Sequence, residues 1–291
     1  MFTLIARNCK LSNRFAWLHP LIVFAGVLVV YWMTLPREVT FEDAGLFQMT
    51  CHLGGIAHPP GYPIFTTLCI PFVNLSIWGD PSVMPGNFLS ALFGAVGVAV
   101  FYQICFKVLA DRTLAYVAAF AYGFSATYWS QAIIIEVYSL AAMMFMICWL
   151  MLILFVETRN DRYWYLFCFS VGLALSNHWP LMVLSTPALI ACAWPAMDEL
   201  PGRLRLASFW LVSFTCFGFG LAPYVMLVID QNPEIAMIGA PSSVEAFIDY
   251  VSRSIYSDSE EASGGRDSLL FAGWLSKESL FQAGIAGAPV V

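Results

Sequence analysis

Charged residues are scarce in this chain of 291 residues: they make up 11% of it, against about a quarter in a typical soluble domain. This scarcity excludes an ordinary soluble enzyme and an intrinsically disordered protein. Hydrophobic residues make up 60% of the chain and aromatic residues 16%, and the mean hydropathy is +0.75. One soluble core of this size cannot bury so much apolar surface, so we expect an integral membrane protein.

Positive charge and clustered cysteines are also lacking. The chain has 13 Lys and Arg against 19 Asp and Glu, and its net charge of −6 argues against a nucleic-acid partner. The eight cysteines include no CxxC pair and no spacing typical of metal ligands. We therefore predict neither a disulfide framework nor a zinc site. The five cysteines from Cys105 to Cys216 lie in apolar runs and are expected to fill the core.

Long apolar runs are what the chain does have, and they predict an all-α polytopic membrane protein with about seven transmembrane helices. A helix needs about 20 apolar residues to cross the ~30 Å hydrocarbon layer. The runs that are long enough, or nearly so, are 18–35, 88–109, 113–129, 132–156, 163–177, 179–196 and 206–229. An eighth run, 64–78, is shorter and contains Pro71. It either crosses the membrane or lies in its interface.

The basic residues favour the second alternative for 64–78. If this run does not cross, nine Lys and Arg lie on the side of the N-terminus and four on the other, as the positive-inside rule expects. If it crosses, the asymmetry is lost. We therefore predict a cytoplasmic segment 1–17, a seven-span module over 18–229 whose first helix is a retained anchor, and an outer-face segment over 230–291. Its outer loop, 36–87, would carry short interfacial helices.

This topology gathers the polar residues of the chain at the outer face of the membrane. Three of the four histidines are among them, so ionisable chemistry is predicted at one membrane surface. The residues brought there are Glu42, Asp43, His52, His58, Tyr62, Gln131, Glu136, Asn177, His178 and Arg253.

Several of these residues also have a purely structural interpretation. Thr40 and Asp43 resemble a capping box for a helix over 41–51, on which Glu42 and Asp43 would lie about 100° apart. The run HPPGYP at 58–63 is too rich in proline for a helix and predicts a stiff turn. This turn is either a simple connector or a mount that fixes His58 and Tyr62.

The later residues leave alternatives open as well. Glu136 is expected about one turn inside the fourth span, where it either faces a cavity or reaches to the membrane surface. Asn177 and His178 at a helix end form either a cap or a ligand-binding pair. A metal site built from His52, His58, His178 and an acid is a further alternative, but no ligand spacing supports it.

Four separated motifs resemble those of one family of membrane proteins. They are, in order, FEDAGLFQMTCHLGGIAHPPGYPIF, PGNFLSALFGAVGVAV, SATYWSQAIIIEVYSL and GLALSNHWPL. The family that they resemble includes the transmembrane protein O-mannosyltransferase of animals and many bacterial relatives, and it is placed in the GT-C class of membrane glycosyltransferases. The resemblance covers roughly residues 18–255.

The resemblance implies a GT-C-like module that moves a sugar, mannose or another hexose, from a polyprenyl-phosphate donor to an acceptor hydroxyl. Transfer would occur on the periplasmic or luminal side of a bacterial inner membrane or the endoplasmic reticulum membrane. The acceptor would be a protein, a lipid or a glycan, and no cofactor is implied. Asp43 matches the essential acid of the first outer loop. In many relatives a Trp precedes this acid and a Glu follows the Gly, but Glu42 and Leu46 occupy those places here.

The expected chemistry is inverting transfer, with Asp43 as general base and Glu42 orienting Asp43 or the acceptor. No metal is expected, because side chains alone can stabilise a departing monophosphate. The expected substrate-binding residues are His58, His178 and Arg253 for the phosphate, Glu136 and Asn177 for sugar hydroxyls, and Tyr62 beside them.

Two other functions stay open from the sequence. A transporter explains the spans and Glu136 equally well, although it predicts ionisable residues near the bilayer midplane and broken helices in corresponding halves. A truncated, inactive piece of a longer glycosyltransferase is the other alternative, because the chain stops soon after the seven-span module.

Overall fold

The computed structural model describes residues 16–78, 82–198, 202, 206–229, 232, 235–236, 239–254 and 265–282, and every regular element within these ranges is helical. Short 3₁₀ helices lie at Ser76–Trp78 and Ala222–Val225. The α-helices, numbered in chain order, are α1 Leu18–Thr34, α2 Ala44–Leu53, α3 Pro63–Val73, α4 Met84–Leu109, α5 Arg112–Gly123, α6 Ala126–Ala132, α7 Val137–Thr158, α8 Asp161–Asp198, α9 Ala207–Gly220, α10 Met226–Ile229, α11 Val244–Ser252 and α12 Gly265–Gln282.

Helices α4 and α7 run parallel. Near their starts, the Ser90 hydroxyl lies 3.2 Å from the backbone nitrogen of Glu136. Near their ends, Lys107 Nζ lies 2.6 Å from Glu157 Oε2. We call the end of the bundle where these two helices begin the site end, and the opposite end the far end.

Helices α1 and α5 run in the opposite direction to α4 and α7. At the far end, His19 near the start of α1 contacts Tyr116 in the first half of α5 and stacks on Tyr102 near the end of α4. At the site end, Tyr31 donates a hydrogen bond of 2.6 Å to the carbonyl of Gly123, the last residue of α5. The chain therefore passes back and forth between the two ends of the bundle.

Helix α8 consists of two arms that meet at His178, whose φ of −126° and ψ of 89° are not helical. The first arm, 161–177, lies parallel to α9: Trp164 donates to Ser213 Oγ at 2.9 Å, and farther along Tyr224, just after α9, donates to the Leu175 carbonyl at 2.8 Å. The connection from α8 to α9 spans about 30 Å at most. The second arm, 179–198, must therefore return to the far end, and α8 is a helical hairpin.

The first arm of α8 and helix α9 touch through two glycines. A Cβ atom on Gly172 would overlap the Phe217 carbonyl oxygen and lie 2.9 Å from Gly220 Cα. A Cβ atom on Gly220 would lie 2.8 Å from Gly172 Cα. Small residues of this kind allow two membrane helices to approach closely.

The two arms of α8 and helix α9 line an open apolar cavity of about 410 Å³. It begins beside the hinge, at Leu175 and Met182, and continues toward the far end, where Trp164 and Ala193 line it. Aromatic side chains such as Phe214 supply much of its wall.

The apolar core consists of two clusters of buried side chains. One joins α2, α3, α7 and both arms of α8, and the other joins α1, α4 and α5. Helix α4 contributes to both, with Phe93 in the first and Val98 in the second, so it connects the two halves of the bundle.

Three described helices are long and apolar enough to cross a membrane, judged by length and composition alone: Met84–Leu109, Val137–Thr158 and Asp161–Met197. Ala207–Gly220 with Ala222–Ile229, bent by 45°, makes a fourth if the pair is one span. Each predicted span coincides with a described helix, helix pair or arm, but the count of seven crossings stays a prediction. The basic residues Arg7, Lys10, Arg14, Arg203 and Arg205, which support the predicted orientation, lie outside the described residues.

Helices α2 and α3 are joined by a disulfide between Cys51 and Cys69, whose Cα atoms are 5.4 Å apart. The prediction that the cysteines form no disulfide is wrong for this pair, because the pairing depends on how the two helices fold onto each other. The five later cysteines are free, as expected. After α3, Asn74 donates back to the Cys51 carbonyl at 3.0 Å. Both ends of α3 thus lie at the site end, which supports a non-crossing 64–78 segment.

The local structure predicted around Glu42 and Asp43 is wrong. Helix α2 begins at Ala44, so Thr40 does not cap a helix over 41–51. Glu42 has a φ of 66°, in the left-handed region, and cannot continue a helix. Glu42 and Asp43 therefore precede α2. The predicted helical angle of about 100° between their side chains does not apply.

The placement of Glu136 one turn inside a span is also wrong. Glu136 has an extended backbone, with φ −146° and ψ 157°, and α7 begins after it. The Asn87 side chain accepts a hydrogen bond of 2.9 Å from the Ile135 backbone nitrogen, which satisfies a backbone group outside any helix. Glu136 is only 1% exposed, which excludes the interpretation that it reaches to the surface.

Candidate active site

Asp43 and His58 form the pair at the centre of the site. Asp43 Oδ2 lies 3.0 Å from His58 Nε2, with the aspartate side chain 53% exposed and the imidazole 17% exposed. The other ring nitrogen of His58 lies 3.1 Å from the Pro59 carbonyl oxygen. Both ring nitrogens thus lie within hydrogen-bonding distance of oxygen atoms. The Asp43 carboxylate is thus partly exposed to solvent, and its Oδ2 atom contacts the His58 ring.

A tight turn mounts His58 and Tyr62, as the proline-rich run predicts. The Gly61 amide donates to the His58 carbonyl at 2.8 Å, and α3 starts at Pro63, directly after Tyr62. Gly61 has a φ of 87°, and a Cβ atom there would lie 2.7 Å from Leu227. The positive φ favours glycine at this position.

The Tyr62 ring connects His58 to His178. Its centroid lies 5.2 Å from the His58 ring, edge to face, and 6.2 Å from the His178 ring, which it stacks on. The Tyr138 ring packs edge to face with the His178 ring, with 5.5 Å between the two ring centroids. The hinge of α8 therefore lies in the wall of the site.

Glu136 is the buried acid of the site. Its pKa is raised to about 8, mainly by burial and also by the negative charges of Asp43 and Glu42, while hydrogen bonds from the Val137 and Asp43 amides oppose part of this. Its Oε1 atom is buried and has no hydrogen-bond partner within the part of the chain that the structure describes. At neutral pH Glu136 is therefore mainly protonated, and it lies close to two exposed acids.

Glu42 points toward α6 and not toward Asp43. The Gln131 amide donates to both of its carboxylate oxygens, at 3.0 and 3.3 Å. The side chain that contacts Asp43 is His58, and the role of Glu42 in orienting Asp43 or the acceptor stays a prediction.

Asn177 lies beside Glu136 and is fully buried. Its amide donates to the Val137 carbonyl at 3.0 Å, while its Oδ1 and the nearby Ser139 Oγ are buried without a partner among the described residues. Buried oxygens without a donor each cost about 1–3 kcal/mol. These oxygens and Glu136 Oε1 are therefore candidates for binding the hydroxyl groups of a ligand.

Helix α11 brings Arg253 to the site. Trp179, next to the hinge, donates to the Val251 carbonyl at 3.1 Å, and the Tyr250 hydroxyl donates to the Ala57 carbonyl. These bonds tie α11 to the loop before the HPPGYP turn and to α8. Arg253, which ends α11, is near enough for its charge to act on His178.

His52 does not belong to the site. Its Nε2 lies 3.1 Å from the Ser82 carbonyl oxygen, ahead of α4. No group of three His, Cys, Asp or Glu side chains that could hold a metal ion occurs among the described residues. The alternative metal site with His52 is thus not formed there.

Two residues of the site were missed from the sequence. Tyr138 and Ser139 were treated as part of an apolar span, although they follow Glu136 directly. The signal available in the sequence was Glu136 itself. Because Glu136 directly precedes α7, the first turn of that helix, with Tyr138 and Ser139, lies next to the same cleft.

The geometry is that of a helical membrane-type protein with an acid–imidazole cleft at one end of its bundle. Residues 43–196 match the family described as "Protein O-mannosyl-transferase TMEM260 N-terminal domain", and the chain belongs to this family. The resemblance drawn from the four motifs is thereby confirmed.

Two curated relatives carry the same name. Protein O-mannosyl-transferase TMEM260 of Mus musculus is 30% identical over 213 residues, which cover 72% of this chain and 30% of that protein. Its counterpart in Dictyostelium discoideum is 27% identical over 255 residues, 81% of this chain and 30% of that protein. The chain thus spans about 30% of the length of these relatives. No solved structure matches it.

Proposed function

We propose that this chain is the catalytic membrane module of a GT-C mannosyltransferase. It transfers mannose from a polyprenyl-phosphate donor to a Ser or Thr hydroxyl of a protein, on the periplasmic or luminal side. The names of the two relatives support the sugar and the protein acceptor. The observation that carries the proposal is the 3.0 Å contact that holds the half-exposed carboxylate of Asp43 against His58.

In the proposed step, Asp43 removes the proton of the acceptor hydroxyl as that oxygen bonds to the anomeric carbon. The bond from this carbon to the phosphate oxygen breaks, and the polyprenyl phosphate leaves with the electron pair. The proton ends on Asp43, and the anomeric configuration inverts. His58 is a positioning residue, because its contact is with the carboxylate.

The leaving phosphate needs donors where its negative charge grows. Arg253 and His178 are the proposed ones, since the arginine is near enough for its charge to act on the hinge imidazole, which stacks on Tyr62. A guanidinium binds phosphate oxygens with charge-assisted hydrogen bonds. Because His58 contacts Asp43, we propose that it positions this carboxylate, although from the sequence we expected it to bind the phosphate.

The sugar and the lipid tail have separate candidate sites. Sugar hydroxyls would satisfy the partnerless oxygens of Glu136, Ser139 and Asn177. The polyprenyl chain would enter the apolar cavity between the arms of α8 and α9, which begins at Leu175 and Met182 beside His178. The reacting carbon would then lie between the tail cavity and Asp43.

The disulfide between Cys51 and Cys69 supports the side of the membrane on which transfer is proposed. Disulfides persist in the periplasm and in the lumen of the endoplasmic reticulum, and they are rare in the cytosol. This bond lies within α2 and α3, directly next to Asp43 and the HPPGYP turn.

The test is Asp43→Asn, with Glu38→Gln as a control that removes an exposed acid from the same loop. Membranes containing each variant receive polyprenyl-phosphate mannose labelled in the sugar, and label on acceptor protein is measured. Loss of a general base typically costs about 10²–10⁴-fold in rate, so Asp43→Asn should lose transfer while Glu38→Gln keeps it. Undiminished transfer by Asp43→Asn, at equal amounts in the membrane, contradicts the proposal.

Donor binding is measured in parallel, on this chain and on a version extended to the length of the relatives. Asp43→Asn should still bind the donor, because the base acts on the acceptor. If only the longer version binds donor, this chain lacks part of the site, and the proposal fails for it.

A further inference from the structure

A second cavity lies at the far end of the bundle, away from the candidate active site. It measures about 400 Å³ and lies between the start of α1, the end of α4 and the start of α5. Along α4, Gln103 in this cavity is 16 residues from Asn87 at the site end, or about 24 Å at 1.5 Å per residue. Its polar lining residues are His19, Gln103, Lys107 and Arg112.

The polar groups of this cavity include several hydrogen-bond donors, on Gln103, Lys107 and Arg112. The His19 ring has two nitrogens, of which Nδ1 lies 2.9 Å from the Tyr116 hydroxyl oxygen. His19 Nε2 and the Gln103 amide have no hydrogen-bond partner among the residues that the structure describes. Among the described residues, no Asp or Glu lines the cavity. Nearby acids are Glu157, which pairs with Lys107, and Asp111, which caps α5.

Arg112 supplies the positive charge. Its guanidinium carbon lies 5.7 Å from the centroid of the Phe106 ring, an arrangement in which the ring face attracts the cation. The charge of Lys107 is balanced by Glu157 at 2.6 Å. An anion in the cavity would meet the Arg112 guanidinium, in addition to that group's other contacts, and the Gln103 amide, with the Lys107–Glu157 ion pair at its edge.

The surface around the cavity is apolar. Trp17 on its rim is 62% exposed, and Leu21 of α1 and Leu114 and Val117 of α5 are between 47% and 62% exposed. In a membrane, exposed leucine and valine face lipid tails, and tryptophan is typical of the interface. A ligand with an anionic head and apolar chains fits both parts of this surface, whereas a free anion uses only one.

We propose that the far-end cavity binds the phosphate headgroup of an anionic glycerophospholipid. Basic pockets between membrane helices bind such headgroups elsewhere, and anionic lipids are concentrated in the cytoplasmic leaflet. This is the leaflet that the positive-inside prediction assigns to the far end. The site is independent of the proposed transfer reaction.

The test is binding of phosphatidylglycerol to the purified full chain in detergent, measured by native mass spectrometry against phosphatidylcholine. A surface cation contributes about fivefold to binding of an anionic lipid, so Arg112→Gln should weaken phosphatidylglycerol binding by about this factor. Gln103→Leu keeps every charge and should also weaken it. Arg162→Gln, which removes an exposed cation at the same end outside the cavity, should change nothing.

Three results overturn the proposal: equal binding of the two lipids, equal losses in Arg112→Gln and Arg162→Gln, or competition by millimolar inorganic phosphate as strong as that by phosphatidylglycerol. The last would define a free-anion site. If Arg112→Gln does not fold, Gln103→Leu decides, and unchanged lipid binding by that variant refutes the site.

Discussion

The carboxyl of Glu136 differs from the other two acids of the site in its burial. Its pKa is raised to about 8, from an ordinary value near 4.5. The folded protein therefore binds a proton that the unfolded chain releases between about pH 4.5 and 8, and stability must fall as pH rises through this window.

We predict that Glu136→Gln removes this pH dependence. The wild type and the variant should have similar Tm values near pH 5, and the wild type should become several degrees less stable by pH 8.5, because each pKa unit corresponds to about 1.4 kcal/mol. Thermal unfolding in detergent from pH 5 to 8.5 measures this, with Glu38→Gln as the exposed control. Parallel curves for wild type and Glu136→Gln would falsify the assignment of the shifted group.

Substitutions of His58 and of Arg253 should affect different kinetic properties. His58 contacts the proposed base, so His58→Gln should lower kcat for mannose transfer with little change in donor binding. Arg253→Gln should instead weaken donor binding by about tenfold, since charge-assisted bonds to phosphate contribute about 1.5–3 kcal/mol each. Donor titrations and transfer rates on both variants distinguish these effects. The opposite pattern would indicate that His58 binds the donor phosphate and does not position Asp43.

At the scale of elements, the pairing of α2 with α3 fixes the loop that carries Asp43, His58 and Tyr62. The disulfide closes a short segment between Cys51 and Cys69. Closing a loop of about 15 residues stabilises by about 3 kcal/mol in the chain-entropy account. The pair therefore holds the acid–imidazole contact in place at the level of the backbone.

We predict that Cys51→Ser combined with Cys69→Ser lowers Tm by several degrees and reduces transfer, and that reductant has the same effect on the wild type. Cys216→Ser, at a free cysteine, is the matched control. Thermal unfolding with and without reductant is the measurement. If the double variant unfolds like the wild type, the two cysteines are not paired in the protein.

At the scale of the whole molecule, the back-and-forth course of the helices places the site at one end of the bundle. The orientation of that end, with a cytoplasmic N-terminus, is a prediction from basic residues. We expect Asp43→Cys and Arg253→Cys to react with a membrane-impermeant maleimide from the outer side, and Thr113→Cys and Arg162→Cys only after the membrane is opened. Labelling of positions 43 and 253 from opposite sides contradicts a shared site.

The sequence predicted the helical class, the helix boundaries to within several residues and the gathering of Asp43, His58 and His178, because composition, apolar length and proline content are local properties. The errors concern contacts between distant segments. Glu136 leaves the helix because Asn87 satisfies the preceding backbone, and Glu42 turns away because Gln131 binds it. Neither partner is within 40 residues of its acid in the chain, so no local pattern could indicate them.

The apolar cavity of about 410 Å³ between α8 and α9 is small compared with a full polyprenol. If the carrier binds there as proposed, the cavity accommodates only the isoprene units nearest the phosphate, and the remainder of the carrier extends among the surrounding lipids. Selectivity for carrier length is then not built into this part of the protein. A water-soluble donor with a truncated tail should serve as a substrate, which would make the reaction accessible to ordinary solution kinetics.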